Sequence, residues 1–113
     1  MKNLFESLFN WWKLRNKVRK YSKTVYINSL LEVPQKLGKK IYLVGNKDGL
    51  KKWAVFSCPC SRKSRVEVNL MQSRKPFWLL TIAKEKVTLS PSVIVTKTCN
   101  CHFWMKNSKS YNC

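Results

Sequence analysis

The chain has 113 residues, 44% of them hydrophobic and 12% aromatic, which suits one domain with a modest core and argues against wholesale disorder. Its 23 Lys and Arg stand against five Asp and Glu, a formal charge of +18, so an anionic partner is expected: nucleic acid, an anionic membrane surface or an acidic protein. No run of about eighteen apolar residues is present, and no small-residue cleavage site follows the N-terminus, so neither a transmembrane helix nor a secretory signal is expected. Five cysteines without an export signal point to a reducing cytoplasm, with thiols kept for metal or chemistry.

In chain order, residues 3–21 read as an amphipathic helix, with Leu4, Leu8, Trp11, Trp12, Leu14, Val18 and Tyr21 at helical spacing. Lys13, Arg15, Lys17, Arg19 and Lys20 crowd its second half, where positive charge suits a helix C-terminus. Such a helix can dock on the domain, lie on a membrane surface or approach nucleic acid. The apolar period then changes to two. Residues 24–30 are a candidate strand, 32–40 a connection through Pro34 and Gly38, and KIYLV (40–44) a strand. Gly45, Asn46, Asp48 and Gly49 supply turn chemistry, so WAVFSC (53–58) should fold back as a hairpin. RVEVNL (65–70) alternates, with Val66, Val68 and Leu70 on one face. FWLLTI (77–82), KVTL (86–89), SVIVT (92–96), HFWM (102–105) and SYN (110–112) complete the series. The expected fold class is α+β, mainly antiparallel β: a basic amphipathic helix over 1–23, then a small zinc-stabilised β domain over 24–113.

Two Cys-x-Cys pairs dominate the chemistry. Cys58 and Cys60 end one predicted strand; Cys99 and Cys101, with the single histidine His102, open the last long one. Alternate residues of an extended chain face the same side, so each pair can present two sulfurs together. Two such corners can close a tetrahedral Zn2+ site, with Cys113 a further candidate ligand. Two other readings stay open: buried thiols acting as small apolar side chains, or a nucleophilic Cys101. His102 is poorly placed to serve Cys101 as a base, because neighbours on a strand face opposite ways. Basic clusters at Arg62, Lys63 and Arg65 join those of the first segment as candidate contacts for nucleic acid or an acidic partner. Glu67 would be a general base only beside a metal with an open position.

LGKKIYLV (37–44), CPC (58–60), VEVNL (66–70), FWLL (77–80), VTLSPSV (87–93) and CNCHFWM (99–105) occur in one order. Together they resemble a family of small bacterial domains. Its genes lie beside those of ubiquitin-like proteins and activating- and conjugating-enzyme-like partners, in clusters some of which are linked to phage defence. The family pattern is Cys-x-Cys-Gly-Cys, then Leu-x-Pro-Ser-Ile, then Cys-x-Ser-His and an aromatic. The positions shared with it are Cys58, Cys60, Cys99 and His102, a Cys3His set for Zn2+. Ser61 and Arg62 depart from the pattern, and Cys101 replaces its serine. Ser90 and Ser92 fall in the matching LSPS segment, as strand-bend residues or as hydroxyls lining a cleft; a Ser-His arrangement needs His102 off the metal. The resemblance implies an accessory protein of a bacterial ubiquitin-like modification system that binds the ubiquitin-like protein or its conjugating machinery and could process or ligate it. A nucleic-acid-binding zinc domain and a membrane-attached protein are the alternatives.

Overall fold

The computed structural model describes residues 18–46, 49–60, 64–96 and 100–111. Nine strands occur among them: β1 (Val18–Lys20), β2 (Lys23–Ile27), β3 (Lys40–Gly45), β4 (Lys51–Ser57), β5 (Arg65–Asn69), β6 (Leu79–Ala83), β7 (Lys86–Val95), β8 (Cys101–Lys106) and β9 (Lys109–Tyr111). They form a five-stranded sheet in the order β1-β9-β8-β7-β6 and a four-stranded sheet in the order β2-β3-β4-β5. Every pairing is antiparallel except the parallel β2–β3 pair.

The expectation of an α+β fold is corrected here. The described residues are all β apart from a three-residue 3-10 turn, Leu30–Glu32. Residues 18–20, read as the end of a basic helix, are a strand paired with β9. The earlier part of that proposed helix, residues 1–17, lies outside the described residues. Tertiary contacts overrule the helical period at this point. Tyr21 counted as the last member of the apolar stripe, yet its N–H donates to the Ser108 carbonyl at 2.8 Å and its hydroxyl to the Ser57 carbonyl at 2.5 Å. Those bonds require an extended backbone that joins both sheets.

The later strands follow the apolar alternation closely. In β5, Val66 and Val68 are buried while Arg65 and Glu67 are exposed, and Leu70 just beyond continues the buried face. In β8, Cys101, Phe103 and Met105 face inward, and His102, Trp104 and Lys106 face outward. KVTL and SVIVT, expected as two strands, are one ten-residue strand, β7. Two-residue turns at Lys84–Glu85 and Asn107–Ser108 have positive φ at both positions, the geometry that matches the twist of tight hairpins.

The sheets pack face to face. The main core joins Ile41, Leu43, Phe56 and Val68 of one sheet to Val87, Leu89, Phe103 and Met105 of the other. Tyr21, Phe56 and Phe103 stack edge-on in series, with ring centroids 5.6 and 6.0 Å apart. The crossover from β2 to β3 covers the other face of the four-stranded sheet, laying Val33 and Leu37 on Tyr42, Val44 and Val55. Burial on both sides explains why KIYLV is a continuous apolar run rather than an alternating one.

Replacing Phe56, which is fully buried, by Ala should destabilise the fold by about 3–5 kcal/mol. Gly45 should be intolerant for a different reason. Its φ is +152°, and an added Cβ would lie 2.8 Å from Lys51 Cα and closer still to the Leu50 carbonyl oxygen, so Gly45→Ala should lose more than about 1 kcal/mol. Urea unfolding of both variants, compared with the parent chain, measures the two effects.

Candidate active site

The site begins where β7 stops matching β8. Leu89 pairs with Met105, and the next pair is Val93 with Phe103. Ser90, Pro91 and Ser92 therefore stand opposite Trp104 alone. This is a β-bulge, a device that bends a strand and re-aims a side chain. It also suits Pro91, which has no N–H to give a ladder.

Ser92 is the residue re-aimed. Its hydroxyl lies 2.7 Å from His102 Nε2. His102 is on the outward face of β8, paired with Ile94, so the two reactive groups meet on the open side of the five-stranded sheet. Ser92 is half-buried and His102 exposed. Ser90, the other serine of the LSPS segment, is exposed and paired with Leu79 of β6.

The bulge is held from the other side by the segment joining β5 to β6. Trp78 donates its indole N–H to the Ser92 carbonyl at 3.1 Å, and its own backbone N–H donates to the Asn69 carbonyl at 2.9 Å. Asn69 organises that segment. Its side-chain amide donates to the carbonyls of Met71, Arg74 and Pro76 at 3.2, 3.1 and 3.0 Å, and its Oδ1 accepts from the Met71 N–H at 3.0 Å. A chain of hydrogen bonds thus runs from Asn69 through Trp78 to Ser92 and His102. The sequence reading placed neither Asn69 nor Trp78 at a Ser-His site. The available signal was an asparagine ending an alternating strand just before a Ser-Arg-Lys-Pro turn, which marks a residue suited to bonding local carbonyls.

Among the described residues, no carboxylate accepts a hydrogen bond from His102. Glu32 caps the 3-10 turn, Glu67 pairs with Arg65 at 2.8 Å, and Glu85 accepts from the Tyr26 hydroxyl at 3.3 Å. The group is a Ser-His dyad. Beside it runs an open groove of about 620 Å3, lined by Thr88, Ser90, Trp104, Lys106, Asn107 and Tyr111 among others. Trp104 is 50% exposed there and Ile94, next to His102, is 62% exposed, so the reactive pair lies on a partly apolar surface.

The described cysteines are placed differently from the histidine. Cys58 is buried in the main core, its N–H bonded to the Ser64 carbonyl at 2.6 Å, and Cys60 packs against that core from the edge. Cys101 is buried and disulfide-bonded, so it offers no thiolate in this structure, and it faces away from its neighbour His102. Cys99 and Cys113 lie outside the described residues. Among the described residues, no group of three or more Cys, His, Asp and Glu side chains gathers as it would around a metal ion. Of the basic candidates, Arg19 and Lys20 are exposed on β1, and Arg65 opens β5. Lys13, Arg15, Lys17, Arg62 and Lys63 lie outside the described residues.

A serine hydroxyl hydrogen-bonded to an imidazole at the surface is the arrangement of a serine hydrolase: nucleophile and base within reach, with room for a carbonyl substrate. Residues 29–113 match the family described as bacterial ubiquitination-like system serine protease (BubE), and the chain belongs to that family. No curated protein and no solved structure matches it.

Because Trp78 reaches the dyad only through the Ser92 main chain, it is a positioning residue. Trp78→Phe keeps a large aromatic ring and removes the indole N–H. It should lower the turnover of any Ser92-dependent reaction by up to about 100-fold while changing KM little. Equal loss in both parameters, or an unfolding midpoint far below that of the parent, would point to a purely structural role.

Proposed function

We propose that this chain is a serine peptidase of a bacterial ubiquitination-like system, using Ser92 as nucleophile and His102 as general base and acid to cleave an acyl bond at the C-terminus of the system's ubiquitin-like protein. The observation that carries the reading is the 2.7 Å contact between Ser92 Oγ and His102 Nε2 on an exposed sheet face. Family membership supports the pathway and the serine chemistry.

The steps follow from the dyad. Neutral His102 takes the Ser92 proton at Nε2 as Oγ attacks the scissile carbonyl, giving a tetrahedral oxyanion. Collapse expels the amine, which receives that proton from His102, and leaves an ester on Ser92. A water, deprotonated by the same nitrogen, attacks the ester. The second collapse returns a proton to Ser92 Oγ and releases the carboxylate. The bulge holds Oγ clear of the β7–β8 ladder, and Trp78 steadies it by binding the carbonyl of the same residue. An extended C-terminal tail can lie in the groove past Trp104, where no helix or loop of the described chain covers the sheet.

Two experiments test this. The chain is incubated with the system's ubiquitin-like protein carrying a C-terminal extension, and the products are weighed by mass spectrometry. Ser92→Ala and His102→Ala should each reduce cleavage by at least about 1000-fold with little change in unfolding midpoint. A fluorophosphonate should label the parent at Ser92. Cleavage that persists in Ser92→Ala would overturn the assignment. Activity should also survive a strong chelator. Loss with the chelator and recovery with Zn2+ would instead favour the Cys58, Cys60, Cys99 and His102 set as a metal site.

A further inference from the structure

The dyad uses none of the chain's positive charge. A group of described cations lies elsewhere, around a cleft of about 520 Å3 that shares no residue with the dyad or its groove. Its rim carries Arg19 and Lys20 from β1, Lys36 and Lys39 from the connection into β3, Lys40 from the start of β3, and Arg65 from β5. No Asp or Glu lines it among the described residues. Among the described residues, only Arg65 of these cations has a carboxylate partner, Glu67. The floor is apolar and firm, with Tyr21, Leu37 and Pro59 all buried. Three separate stretches of chain converge there, so the cations are gathered by the fold and not merely adjacent in sequence.

The form of the cleft selects among anionic partners. Binders of single-stranded nucleic acid combine a cationic track with exposed aromatic faces on which bases stack. Among the described residues lining this cleft the one aromatic is Tyr21, which is 8% exposed, packed edge-on against Phe56 and tied by its hydroxyl to Ser57. It offers no face to a base. A concave site with an apolar floor, a cationic rim and room for a few side chains suits a short peptide segment in which acidic residues meet the rim and apolar ones the floor. We propose that this cleft is a docking site for an acidic segment of a protein partner, separate from the dyad and engaged by Arg19, Lys20, Lys36, Lys39 and Lys40.

Charge complementarity at such a rim acts on encounter and register and is screened by salt. The test uses the full chain and a fluorescein-labelled peptide of alternating glutamate and leucine, read by anisotropy at low and at near-physiological salt. Its controls are the same peptide with glutamine for glutamate and a single-stranded oligonucleotide of equal charge. The triple variant Lys36→Glu/Lys39→Glu/Lys40→Glu should bind the acidic peptide about tenfold or more weakly. It should still hydrolyse a small activated ester at the parental rate, because none of these residues touches the dyad. The neutral variant Lys36→Gln/Lys39→Gln/Lys40→Gln should weaken binding less, which separates lost attraction from a failure to fold. Peptide affinity unchanged in both variants would overturn the proposal. So would equal binding of the glutamine peptide, or displacement of the acidic peptide by the oligonucleotide at lower concentration. Loss of ester hydrolysis in Ser92→Ala with acidic-peptide binding intact would show that docking and catalysis are independent sites.

Discussion

The hydrogen bond from the Trp78 indole to the Ser92 carbonyl is the constraint around which the reactive face is arranged. A bulge interrupts the β7–β8 ladder, so the main chain of Ser90–Ser92 cannot be held by β8 as its neighbours are. Without an external partner, such a segment would have several ways to relax. Trp78 supplies the partner from the opposite flank, and Asn69 in turn holds the approach to Trp78 by bonding three carbonyls of one short connection. The geometry of a surface hydroxyl is therefore determined from inside the sandwich, through a ring that packs against the main core.

Period-two geometry explains how one short strand serves two incompatible needs. β8 must contribute Cys101, Phe103 and Met105 to the interior, where apolar packing stabilises the sandwich. It must also present a polar imidazole to solvent. Alternation does both without further devices: each inward residue is followed by an outward one. Cys101 and His102 are adjacent in sequence yet face opposite ways. The thiol side is closed in a disulfide, and the imidazole side is open to solvent.

Much of the β architecture was legible in the residues. Alternation in RVEVNL gave the correct faces, HFWM falls within a strand, and the turn residues between KIYLV and WAVFSC marked a hairpin. What failed did so for identifiable reasons. Residues 18–21 fit a 3.6-residue period, but Tyr21 is claimed by carbonyls of two other segments, and no local pattern encodes that. Pro91 suggested a break between two strands, whereas a bulge lets one strand run through it. The site was legible in its members more than in its pairing. Ser92 and His102 were both candidates, but His102 was grouped with Cys58, Cys60 and Cys99 as a metal ligand, and its contact with Ser92 was left open. Its hydroxyl partner is ten residues back along the chain and becomes a neighbour only through the β7–β8 register.

A dyad without a described carboxylate places particular demands on its surroundings. In a triad the acid orients the imidazole and stabilises its charged form. Here the ring is held by its position on β8 and by its contact with Ser92, and it stands at an exposed surface where water can solvate the imidazolium. A solvated imidazolium is stabilised less than a paired one, so more of the rate must come from the position of the scissile carbonyl. That shifts selectivity from the dyad to whatever seats the substrate. Under the proposed function, a folded ubiquitin-like protein with its tail in the Trp104 groove would supply that seating, whereas an arbitrary loop would not. A weak reactive pair coupled to strong substrate placement suits an enzyme that must cut at one tail and leave other cellular chains intact.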